Sequence, residues 1–148
     1  MNLMASQPTP PCLIELSQAA DERGVLTSIE AGVDVPFTVR RVFFISDASG
    51  DRGNHAHRDT SQLLVAVSGV FTVDVSTGEA STSYAMQSRA RGLLLAPMTW
   101  VRLHSFSADA VCLVLADRSY ADSAYIRDWE EFIREAATKG PETTTSPR

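Results

Sequence analysis

The apolar positions of this chain fall in short runs separated by Gly, Asp, Ser and Pro, the punctuation of a mostly β protein. Thr38 to Ile45 is rich in Val and Phe and reads as a strand. Gln62 to Val67 and Val70 to Val75 flank Ser68-Gly69, which reads as a turn. Leu93 to Ala96 is apolar and stops at Pro97, and Trp100 to Phe106 follows. Ala110 to Ala116 is apolar without interruption, the pattern of a buried strand. Strands at this spacing predict an all-β sandwich or barrel. Only Ile126 to Ala137 carries a helical period, in Ile126, Trp129, Ile133 and Ala137, with Asp122 or Ser123 placed to cap the entry.

The ends differ from this middle. Residues 1–11 are polar and Pro-rich, without the charged-then-apolar layout of a secretory signal. Residues 138–148 have nothing to bury. Both are expected to fray, leaving residues 12–137 as one domain, which suits a chain of 148 residues. No apolar run approaches the length of a membrane span. A cytoplasmic protein is therefore expected, with Cys12 and Cys112 as buried free thiols.

Charge narrows the function classes. The 13 Lys and Arg against 18 Asp and Glu give a net charge of -5. No basic stripe for nucleic acid is present. An anionic small ligand stays open, because a few Arg in one pocket reverse the local sign.

The strongest chemical feature is His55-Ala56-His57. Residues two apart on a strand project from one face, so both imidazoles point into one cavity. A His-x-His pair invites a metal, and His104, the third histidine of the chain, could complete three imidazole ligands. In metal-binding cupins a Glu follows the pair and a His comes from a later strand. The corresponding places here hold Gln62, a poor ligand, and Arg102, whose charge repels a metal ion. Metal-free acid–base chemistry is the better reading, since an imidazole with a reference pKa near ~6.5 takes and returns protons at neutral pH. No Ser-His-Asp order, P-loop or Gly-rich dinucleotide turn is present.

Arginines gather around the pair: Arg40, Arg41, Arg52 and Arg58, with Arg102 on a later strand. An inward Arg in a β-barrel is costly unless it meets an anion, such as a diphosphate or an enolate oxygen. Arg41, Arg52 and Arg102 are the candidates for that role. Asn54 lies in the histidine segment, and His104 shares a strand face with Arg102. Trp100 opens that strand and is a candidate to stack on a base or sugar.

Several segments together resemble one family. They are Asp21-Glu22-Arg23-Gly24-Val25-Leu26, the run Pro36 to Ile45, Arg52-Gly53-Asn54-His55-Ala56-His57-Arg58, Phe106 to Val111, and Tyr125-Ile126-Arg127-Asp128-Trp129-Glu130-Glu131-Phe132. Over about residues 13–134 the chain resembles the dTDP-sugar 3,4-ketoisomerases, cupins of deoxysugar biosynthesis. The resemblance implies a cupin-type jelly-roll barrel with a short C-terminal helix, assembled as a homodimer, with no cofactor and no metal. It implies dTDP-4-keto-6-deoxyglucose as substrate, His57 as catalytic base and His55 as its companion. Many relatives carry Tyr where this chain has Phe43 or Phe44, and phenylalanine cannot relay a proton.

The implied chemistry is removal of the proton from sugar carbon 3 by His57, an enediolate held by Arg41 or His55, and return of a proton at carbon 4. A sugar-nucleotide 3,5-epimerase is the alternative enzyme. It would want a second acid, often a tyrosine, and neither Tyr84 nor Tyr120 sits beside the histidines in sequence. A non-catalytic cupin that binds sugar nucleotides is the reading from another class.

Overall fold

The computed structural model describes the backbone of residues 9–145 and the side chains of residues 9–138. Among the described residues the elements run β1 (Cys12–Glu15), β2 (Ser17–Asp21), β3 (Gly24–Ser28), β4 (Arg41–Ser46), β5 (Arg52–His57) and β6 (Gln62–Ser68). Then come β7 (Phe71–Ser76), β8 (Ser81–Met86), β9 (Arg91–Leu95), β10 (Trp100–His104), β11 (Val111–Ala116), β12 (Tyr125–Ile126) and one helix, α1 (Trp129–Thr145).

Two five-stranded antiparallel sheets form a jelly-roll sandwich. Their orders are β1-β9-β6-β11-β4 and β12-β5-β10-β7-β8, and β2 pairs only with β3. The expected cupin-type jelly roll is thus present as two separate sheets; among the described residues no strand pair closes it into a continuous barrel. Between the sheets lies the main core, with Leu64, Phe71, Val73, Leu93, Val101 and Cys112 all at most 4% exposed.

Both outer faces are partly covered, and this explains the unbroken apolar runs. Leu64 and Ala66 of β6 face the second sheet, while Leu63 and Val65 pack with Val35 and Phe37 of the segment before β4. A strand buried on both faces has no polar side to show. On the second sheet, Ala56 and Trp100 lie beneath Phe132, Ile133 and Ala136 of α1.

The helix begins later than its apolar spacing predicts. Tyr125 and Ile126 are taken into the second sheet by pairing with His57 and Ala56. Asp128 is the cap: its carboxylate accepts the Glu131 N–H at 3.0 Å and its carbonyl accepts that of Phe132 at 3.0 Å. Asp122 and Ser123 instead close a turn on Ser119. At the other end α1 runs through Thr145, into the segment expected to fray. The fraying expected of residues 1–11 concerns mostly residues 1–8, which lie outside the described residues. Of the two thiols, Cys112 is buried and Cys12 only partly so; both are free.

Candidate active site

One register shift builds the site. In β5 and β10, Val101 pairs with His55 and Arg102 with Gly53, so Asn54 is an extra residue on β5. Gly53 and Asn54 both have left-handed backbones, with φ of 88° and 60°. Glycine and asparagine are the residues that tolerate this region best. At Gly53 an added Cβ would also lie 2.9 Å from the Val101 carbonyl oxygen. Residues opposite one another share a sheet face, so Arg52 joins His55 and His57 inside, although strict alternation would part them.

These three side chains line a cavity of about 450 Å³, with Arg41 and Phe43 from β4. Gln62 and Tyr125 complete its polar wall. The His55 and His57 rings meet edge-on at 5.2 Å, and the Tyr125 ring touches both, at 5.1 Å and 4.4 Å. His57 is 5% exposed, and its Nδ1 has no hydrogen-bond partner among the described residues. Burial, followed by the positive potential of His55 and Arg41, pushes the His57 pKa down to about 4; Asp59 opposes this. Burial also lowers the pKa of His55, partly offset by the Gly53 carbonyl. Both imidazoles are therefore neutral at pH 7, the form that can accept a proton.

Arg41 is held by rings instead of acids. Its guanidinium lies 4.4 Å from the Phe43 ring centre and 5.1 Å from that of Tyr120. Arg127 sits 4.3 Å from the Tyr125 ring centre. Among the described residues, no carboxylate is ion-paired with Arg41, Arg52 or Arg127. Three guanidiniums left without acids near one cavity suit an anionic ligand.

Four of the expected site residues lie elsewhere. Val101 and Leu103 are the cavity-facing residues of β10, so Trp100, Arg102 and His104 project from the opposite face. There Arg102 bonds Asp51 at 2.8 Å and Asp74 at 2.9 Å, and His104 Nε2 meets Asp74 at 2.9 Å. Ser83 donates to the other Asp74 oxygen at 2.6 Å. Those bonds, Ser83 foremost, hold the Asp74 carboxyl below its usual range. Trp100 packs edge-on against Trp129 at 5.3 Å under the helix. Asn54 is exposed at the bulge and shapes the backbone without lining the cavity. Neither Arg102 nor His104 can therefore decide the metal question, as the sequence led one to expect. Gln62, Leu64 and Leu103, which line the same cavity as the two imidazoles, are not metal ligands of consequence.

Tyr125 and Arg127 were not singled out by sequence reasoning, although both stand in a segment that carries the family resemblance. Arg58 secures that segment. It bonds Glu135 twice, at 3.0 and 2.8 Å, Glu131 at 2.9 Å and the Tyr125 carbonyl at 3.2 Å. The helix, the end of β5 and β12 are thereby tied at one point, next to His57 in sequence.

Comparison with known proteins gives the family. The family model described as FdtA: WxcM-like, C-terminal matches residues 10–137. A TDP-4-oxo-6-deoxy-alpha-D-glucose-3,4-oxoisomerase of Aneurinibacillus thermoaerophilus is 36% identical over 122 residues, which cover 81% of this chain and 88% of that protein. A mutant of the 3,4-ketoisomerase QdtA from Thermoanaerobacterium thermosaccharolyticum, solved with TDP-4-keto-6-deoxyglucose, has a TM-score of 0.84 at 29% identity, covering 88% of this chain and 96% of its own. A 3,4-ketoisomerase from Helicobacter canadensis gives a TM-score of 0.81 at 30% identity, covering 85% of this chain and 96% of its own.

Proposed function

The chain belongs to the FdtA, WxcM-like C-terminal family, and from that premise we propose that its cavity moves the keto group of dTDP-4-keto-6-deoxyglucose from carbon 4 to carbon 3, with His57 as the base. It is an isomerase of deoxysugar biosynthesis, a dTDP-sugar 3,4-ketoisomerase. The observation that carries the mechanism is the pairing of a buried neutral imidazole with unpaired guanidiniums around one cavity.

The carbon 3 proton is acidified by the neighbouring carbonyl. Neutral His57 removes it, and charge moves to the carbon 4 oxygen. His55 supports His57, and a proton returned to carbon 4 leaves the ketone at carbon 3. Oxidation moves only between neighbouring carbons, so the scheme needs no redox cofactor. Proton NMR of the reaction in deuterium oxide tests the reading: the ketone migrates to carbon 3. Exchange at carbon 5 would mark a 3,5-epimerase, and binding without exchange a non-catalytic sugar-nucleotide binder.

Arg41 and Arg52 are assigned to the diphosphate. Changing either to Ala weakens dTDP binding by about 1.5–3 kcal/mol, the cost of a charged hydrogen bond. Arg102→Ala leaves it unchanged, because that side chain is committed to Asp51 and Asp74 on the other face. Calorimetry on the three variants decides this, and unaltered affinity in both Arg41 and Arg52 variants would place the diphosphate elsewhere.

The chain works as a homodimer. β2 and β3 form an isolated hairpin, a unit that is only marginally stable alone in water. Val25 and Leu26 on it are 61% and 63% exposed, and Phe44 on the edge strand β4 is 66% exposed. A second copy would cover such apolar edges. Sedimentation during the calorimetry reports the assembly. No helix among the described residues is long and apolar enough to cross a membrane. The cytoplasm, where free thiols persist, is the proposed compartment.

Activity is expected to survive exhaustive dialysis against a chelator. The cavity that holds the imidazoles is lined by Gln62, Leu64 and Leu103, where a metal would need anionic or further imidazole ligands. Loss of activity restored by one specific metal would overturn the metal-free scheme.

A further inference from the structure

Moving a ketone between neighbouring carbons requires two proton movements, and His57 accounts for one. The proton on carbon 3 passes to carbon 4. Separately, the hydroxyl proton on the carbon 3 oxygen must leave, and the carbon 4 oxygen must gain one. The second movement needs a group that both gives and takes a proton beside those oxygens.

Most polar side chains in the cavity cannot do this. The guanidiniums of Arg41 and Arg52 have donors and no acceptor, and the Gln62 amide donates without releasing. His57 is engaged with carbon. His55 is neutral, because burial and the nearby Arg127 charge disfavour its imidazolium, and a neutral imidazole accepts a proton far more readily than it gives one. Phe43, facing in from β4, has no hydroxyl. Two cavity-lining residues carry an O–H among the described residues, Ser46 and Tyr125. Ser46 stands at the far end of β4, opposite Val111, and is exposed. Tyr125 is half-buried and packs on both imidazoles, and no hydrogen bond from its hydroxyl is found among the described residues.

We propose that Tyr125 is the second proton carrier of the site, shuttling between the two sugar oxygens while its ring walls His57 in place. This rests on the ketoisomerase reading above. In the step, the phenol gives its proton to the carbon 4 oxygen as charge develops there, forming the O–H bond of the enediol. The phenolate then takes the proton from the carbon 3 hydroxyl. The electron pair of that O–H bond becomes the new carbonyl as the enediol double bond takes the proton from His57 at carbon 4. Tyr125 ends as it began, and no co-reactant is consumed. The ring has a distinct duty. His57 Nδ1 has no hydrogen-bond partner among the described residues, so the imidazole plane is set by packing, and the Tyr125 ring at 4.4 Å is part of that packing.

Two variants separate these duties. Tyr125→Phe keeps the ring and removes the hydroxyl. It should bind dTDP like the wild type and still exchange the carbon 3 proton with deuterium oxide, more slowly than the wild type but with a smaller loss than that of migration. Ketone migration should fall by about 10²–10⁴-fold, the usual share of one acid–base group. Tyr125→Leu removes the ring as well and should lose carbon 3 exchange too. Phe43→Tyr in the Tyr125→Phe background returns a phenol to the same cavity and should recover part of the migration. Wild-type migration in Tyr125→Phe overturns the proposal. So does equal loss of exchange and migration in that variant with dTDP affinity intact. A wild-type protein that moves no ketone would instead sink the ketoisomerase reading itself.

Discussion

The His57→Asn variant will fold, bind dTDP as the wild type does, and turn over about 10²–10⁴-fold more slowly. Asparagine keeps a polar side chain at a position 5% exposed, but it cannot cycle a proton at neutral pH. The diphosphate contacts proposed for Arg41 and Arg52 are untouched, so affinity should hold while kcat falls. His55→Asn should cost less, because that ring supports and does not abstract. The measurement is ketone migration followed by NMR, with calorimetry for dTDP. Wild-type turnover in the His57 variant would remove it from the mechanism.

The protein will also lose stability on mild acidification, well before its carboxylates titrate. Unfolded, His57 has a pKa near ~6.5; folded, burial and then the His55 and Arg41 charges set it to about 4. Above the unfolded value both states are neutral at this residue and stability is complete. As pH falls below it, the unfolded chain takes up a proton that the folded chain refuses. The cost grows until the folded pKa is reached and amounts to about 3 kcal/mol. The lowered pKa of His55 acts in the same direction. The depressed Asp74 carboxyl contributes only at lower pH. Urea denaturation at pH 7 and pH 4.5 checks this, and His57→Asn should flatten the difference. An equal midpoint at both pH values would mean that His57 titrates normally. The acid limb of kcat/KM should correspondingly fall near pH 4 and not near 6.5, because that profile reports the free enzyme.

How much of this was legible in the chain depended on burial. Gln62 to Val67 and Ala110 to Ala116 declared themselves because both faces of those strands are covered. The exposed hairpin and β8 left no apolar rhythm to read. At β10 the alternation was visible but its sign was misjudged: the nearness of charged groups to the histidines in type drew Arg102 and His104 inward. The apolar pair Val101 and Leu103 held the correct answer, since a core face wants the apolar parity. Tyr125 was hidden by the length of β12, two residues, and by a helical period that starts on Ile126. The Asp128-x-x-Glu131 spacing, an N-terminal capping signal, could have moved that boundary. No pattern in the sequence announced the extra residue at Asn54, because a bulge is a relation between two strands.

That bulge makes the site sensitive to counting more than to spelling. Within β5, which side chains reach the substrate is fixed by how many residues separate Arg52 from His55, and the partner strand keeps the tally. Exchange of one letter alters one contact. Loss of one residue would turn Arg52 toward the helix side of the sheet while the histidines stayed inside, or the reverse, dividing anion binding from proton transfer at a stroke. Homologues that diverge in sequence yet keep this segment at constant length would retain the chemistry; a frame change there would be a more reliable mark of lost function than any single replacement.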